Sequence, residues 1–170
     1  MYTYKLKIKV MKKGSTLFLK SVLVFMFIAV MLLCIFAIPN MSRSVLLEFP
    51  GVIYPWWFIM FGMYASVIPF FFALYNAFKL LVYIDKNLAF SYLSIKALRN
   101  IKYSAIAMTV IYFGAMPLFF QIAEMDDAPG MLPIGTIVIC APLVIAVFAA
   151  VLEKLVKNVI EIKAENDLTV

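Results

Sequence analysis

YIDKNLAFSYLSIKALRNIK, residues 83–102, is the one long segment of this chain rich in both charge and hydroxyl groups. Two very apolar runs precede it and two follow. Uncharged gaps define those runs: 22 residues from 21 to 42, 30 from 49 to 78, 21 from 103 to 123 and 25 from 128 to 152. About 20 apolar residues cross the hydrocarbon core of a bilayer as a helix. Helix is also the form in which a segment satisfies its own backbone in lipid. The reading is therefore an all-α polytopic membrane protein. Residues 1–170 form a single membrane domain with transmembrane helices near 17–38, 54–82, 103–123 and 132–155. A cytoplasmic elbow at 83–102 joins the second and third; outer loops lie at 39–53 and 124–131.

Composition leads to the same class. Of 170 residues 66% are apolar, and the mean hydropathy is +1.03. A soluble domain is closer to half apolar, and a chain this short leaves too much surface exposed to hide the excess. Cys34 and Cys140 both lie inside apolar runs and read as small buried side chains rather than a disulfide or metal pair. The first run is too long for the apolar part of a signal peptide, so it reads as an uncleaved span.

Fourteen of the fifteen basic residues fall on one side of this threading. Six lysines precede the first span. Lys79, Lys86, Lys96, Arg99 and Lys102 flank or occupy the elbow, and Lys154, Lys157 and Lys163 follow the fourth span; only Arg43 falls between the first two spans. Basic loops stay in the cytoplasm. The expected location is thus a bacterial plasma membrane, multi-pass, with both termini inside. The net charge of +6, spread this way, points to an anionic inner leaflet, where each well-placed base is worth ~1 kcal/mol. It calls for no direct nucleic-acid partner.

Within this frame several features stand out. The leader MYTYKLKIKVMKK, residues 1–13, reads as a flexible basic arm held near headgroups, with a short strand as the alternative. Pro39 and Asn40 are expected to end the first span, since proline cannot continue the helical ladder. Tyr54, Trp56 and Trp57 mark the outer end of the second span as interfacial aromatics. The elbow is expected to hold an amphipathic helix in the inner interface. Phe90, Leu93, Ala97 and Ile101 form its apolar side, and Lys96, Arg99 and Lys102 form a candidate partner-contact surface. Asn87 or Ser91 is the candidate cap.

Asn76 and Lys79 are candidate intramembrane polar residues. Asn76 either bonds to another helix or faces a polar pathway, and Lys79 either joins it or snorkels to the inner headgroups. Ala73 and Ala77 form a small-residue stripe expected to pack against Ala146 and Ala150. Gly114 and Pro117 predict a kink in the third span. Glu124, Asp126 and Asp127 form a candidate outer acidic cluster, which could bind a cation or merely solvate a turn.

Catalytic chemistry is missing. There is no P-loop, G-x-G-x-x-G, G-x-S-x-G or H-E-x-x-H, and no histidine to serve as a base. No enzyme activity, cofactor or metal is expected.

Several motifs form a set: Phe49-Pro50-Gly51; Pro69-Phe70-Phe71 with Ala73-Leu74-Tyr75 and Ala77-Phe78-Lys79; Ile84-Asp85-Lys86-Asn87 with Ala89-Phe90-Ser91; Asp126-Asp127-Ala128-Pro129-Gly130; and the close Glu165-Asn166-Asp167-Leu168-Thr169-Val170. Together they resemble the YoaS-like family of small four-span bacterial membrane proteins of unknown function. The resemblance implies four spans, a bacterial plasma membrane and a frequent gene neighbour, a small helix-turn-helix regulator. It supplies no site residues. The leading expectation is a regulatory or interaction protein engaging a cytoplasmic partner such as that DNA-binding regulator. A small transporter or channel subunit, as a homo-oligomer, and a self-immunity protein against a membrane-active peptide are the alternatives.

Overall fold

A computed structural model describes residues 2–48, 56–125, 127 and 130–168; the side chains of 2–15, 42, 45, 46, 48, 56–59, 131, 167 and 168 are outside that description. Among the described residues all regular structure is helical: α1 (Tyr2–Leu32), a π-helical segment (Leu33–Ala37), α2 (Ile38–Glu48), α3 (Trp56–Asp85), α4 (Tyr92–Gly114), α5 (Met116–Met125) and α6 (Met131–Leu168). Four stretches of the described residues are long and apolar enough to cross a membrane: Thr16–Met41, Met60–Asp85, Tyr92–Met125 and Leu132–Asn166.

The leader is helical from Tyr2, because each residue added to an existing helix gains a hydrogen bond for little ordering. The flexible arm and the strand alternative are both thereby corrected. Pro39 does not end the first helix either. The ladder widens just before it, with the Ile38 amide donating to the Leu33 carbonyl, and α2 then continues to Glu48. A π turn accommodates the missing proline donor without stopping the helix. Phe49, Pro50, Gly51 and Tyr54 lie outside the described residues, as do the side chains of Trp56 and Trp57.

The elbow is a turn followed by the first turns of α4, rather than a separate helix. Asn87, in the left-handed region at φ 59°, closes α3. Its amide donates to the Ile84 carbonyl at 3.1 Å, and that of Leu88 to the Tyr83 carbonyl at 2.8 Å. This pair is the Schellman closure, which favours residues tolerant of positive φ. Ser91 then caps α4, its hydroxyl accepting from the Ser94 amide at 3.4 Å.

The face that α4 packs also differs from the expected one. Ser94, Ile95, Ala97, Leu98, Ser104 and Ala105 are buried, whereas Phe90 and Leu93 are exposed. In lipid a large apolar side chain loses nothing by facing outward, so small residues mark where helices approach.

The four spans lie in a row in chain order. α4 packs on both α3 and α6, and α1 and α2 pack on α3 from the other side. Among the described residues α3 and α6 share no substantial interface. The expected match of the Ala73/Ala77 stripe with Ala146/Ala150 is therefore not formed; Ala146 and Ala149 are buried in a helix whose main neighbour is α4. α4 ends at Gly114, and α5 restarts after Ala115. Pro117 falls in the first turn of α5, where its missing donor is tolerated. Cys34 is buried but Cys140 is exposed, since a small side chain on the lipid face of α6 has nothing to hide from.

Candidate functional site: the polar end of the helix row

Toward one end of the row each neighbouring pair of spans is joined by polar side chains. Lys20 of α1 makes an ion pair with Asp85 of α3. Asn100 of α4 donates through Nδ2 to Oδ1 of Asn76 on α3 at 3.0 Å. Arg99 Nε and Lys102 Nζ of α4 donate to the two oxygens of Glu153 on α6, at 2.8 and 2.6 Å. A helix advances about 1.5 Å per residue, so Asn76 sits ~13 Å deeper along α3 than Asp85.

Asn76 is 3% exposed. Its Nδ2 donates to the Phe72 carbonyl one turn back at 2.8 Å, and its Oδ1 accepts from Asn100. A carboxamide in lipid is costly unless partnered; here both of its ends are used. Lys79 lies close by on α3, with Nζ 4.4 Å from the centroid of the Tyr75 ring. A cation over an aromatic face is attracted by the ring quadrupole. The two candidate intramembrane residues thus have different settings: Asn76 faces α4, and Lys79 lies along the Tyr75 side of α3.

The three candidate partner-contact residues also separate. Lys96 is exposed, while Arg99 and Lys102 are held by Glu153. Around them the exposed cations are Lys86 at the turn and Lys154 and Lys157 on α6, the last forming an i,i+4 pair with Glu161 at 3.7 Å. Surface pairs of that kind contribute little. The Glu153 pairs are more shielded, with side-chain exposures of 13% for Glu153 and 22% for Lys102. One carboxylate holding two bases fixes the first turns of α4 against α6.

The candidate acidic cluster lies toward the opposite end. Glu124 is exposed at the close of α5, and Asp127 is exposed with φ at 49°; Asp126 lies outside the described residues. Among the described residues no three His, Cys, Asp or Glu side chains come together as a metal site would need.

Asn100 and Glu153 went unremarked in the sequence, yet both have a signal there. Antiparallel neighbours pair residues equidistant from the turn between them. Asn76 and Asn100 each lie twelve residues from Leu88, and Arg99 and Glu153 each lie 27 residues from position 126. The register becomes readable once the turn centres are known.

Residues 46–170 match the family described as "Protein of unknown function (DUF2975)". A protein of Bacillus subtilis (strain 168), described as "Uncharacterized membrane protein YoaS", is 52% identical over 160 residues, which are 94% of this chain and 100% of the relative. No solved structure matches.

Proposed function

We propose, from the premise that this chain belongs to the DUF2975 family of unknown function, that it is a non-enzymatic interaction protein of the bacterial plasma membrane. It engages a cytoplasmic partner at the basic end of its helix row. Both termini and the turn at residues 86–91 face the cytoplasm in this reading, as the distribution of lysine and arginine requires. The partner is a soluble protein with an acidic face, such as a small helix-turn-helix regulator.

One observation carries the reading. Arg99 and Lys102 are committed to Glu153, so they brace α4 against α6, while Lys96, Lys86, Lys154 and Lys157 stay exposed around that brace. A rigid support with exposed cations on it suits charge-steered docking of an acidic protein surface. The transport reading relies on Asn76 and Lys79, and Asn76 is used in holding α3 to α4. The immunity reading relies on the outer loops, of which residues 49–53, 126, 128 and 129 lie outside the described residues.

A photo-crosslinking residue placed at Lys96 in native membranes tests the proposal. The expected result is an adduct with one soluble cytoplasmic protein, weakened when Lys86 and Lys154 are both changed to Glu. Crosslinks confined to lipid and to the chain itself would count against it.

A further inference from the structure

Between α1 and α3 runs an apolar groove of about 170 Å³. Leu23, Val24 and Phe27 form one wall, and Phe71, Leu74, Tyr75 and Phe78 form the other. Phe27 and Phe71 meet across it, their centroids 4.9 Å apart and tilted by 57°. Each wall is a single helical stripe, because residues spaced by three, four and seven share one face. Both stripes end in a lysine at the same end of the groove. Lys20 is three residues before Leu23, and Lys79 is four after Tyr75.

The two lysines are not equivalent. Lys20 is paired with Asp85 and lies 5.9 Å from the Phe78 centroid. Lys79 rests on the Tyr75 ring and has no carboxylate partner among the described residues. The groove is therefore apolar along its length with one uncompensated cation at its end. From Lys20 to Phe27 it spans ~10 Å, about two-thirds of one leaflet of a ~30 Å hydrocarbon core.

The geometry points to an anionic phospholipid as the occupant, with one acyl chain along the groove and its phosphate at Lys79. An acyl chain supplies the apolar body, and a net-negative headgroup supplies the charge that Lys79 lacks. A zwitterionic headgroup would bring its own cation against Lys79 and lose part of that attraction. The Tyr75 ring beneath Lys79 keeps the ammonium at the mouth of the groove.

Native mass spectrometry of the full chain in detergent tests this, using phosphatidylglycerol and phosphatidylcholine with identical acyl chains. The expected result is about a fivefold preference for phosphatidylglycerol in retained adducts, the size set by one well-placed base. Lys79→Gln should bring the ratio close to one while the helical circular dichroism is unchanged. Val24→Trp, which fills the groove from the exposed side, should lower retention of both lipids. Equal retention of the two lipids by the unaltered protein would overturn the assignment, as would a preference that survives Lys79→Gln. Dimers that Val24→Trp dissociates, with no lipid retained, would instead make a second copy of the chain the occupant.

Discussion

A carboxamide has two donor hydrogens and two acceptor lone pairs to place, and Asn76 places them in two directions, one along its own helix and one across to Asn100. Truncating either partner leaves the other short of a bond in a site that water does not reach. Asn100→Leu is expected to destabilise the protein by about 1 kcal/mol, and Asn76→Leu by a similar amount; measured interhelical hydrogen bonds in lipid average ~0.6 and reach ~1.7 kcal/mol. The double variant should cost less than the two single changes added together, because it removes donor and acceptor at once. Unfolding in mixed micelles measures this, and strict additivity would deny the bond any weight. That Asn76 needs a partner was legible in the sequence. Which partner was not, because choosing Asn100 requires the register of α4 on α3.

At the scale of elements, proline chemistry was read correctly as a missing donor but wrongly as a helix end. The Ile38 amide bonds to Leu33, and the donor next in line for the Cys34 carbonyl belongs to Pro39, which has none. Tyr64 of α3 fills that place, its hydroxyl donating to the Cys34 carbonyl at 3.0 Å. The tyrosine thus compensates on one helix for a proline on another. Tyr64→Phe is expected to cost about 1 kcal/mol. In a Pro39→Ala background, where the ladder can close on itself, the same change should cost almost nothing. Equal costs in the two backgrounds would show that the hydroxyl and the proline are unrelated. The elbow differs for a kindred reason. Its turn signals, Asn87 and Ser91, were visible as a pair, but both read as candidates for one cap. The structure gives each its own helix end, and α4 then runs unbroken from Tyr92 to Gly114.

For the whole molecule, the row of helices places the first turns of α4 and the second half of α6 together through Glu153, with Lys20 and Asp85 toward the same end. The proposed threading sets that end in the cytoplasm. With Cys34 and Cys140 replaced by Ser, single cysteines at Lys86 and at Asp127 should react with an impermeant thiol reagent from opposite sides. Asp127→Cys should label in intact cells and Lys86→Cys only after lysis. Labelling of both in intact cells would reverse or collapse the threading. The family resemblance carried by the dispersed motifs is borne out by the match over residues 46–170, and the membrane class and the four long apolar helices were legible beforehand. Span length against bilayer thickness is a property of each segment alone, so counting uncharged residues is enough to find the spans. Neighbour order, packed faces and pairings came only with the tertiary structure. Leucine facing another helix and leucine facing lipid are nearly equal in energy, so apolar periodicity does not mark the inside of this protein. Small residues and polar pairs do, and they are identified only when the helices are set side by side.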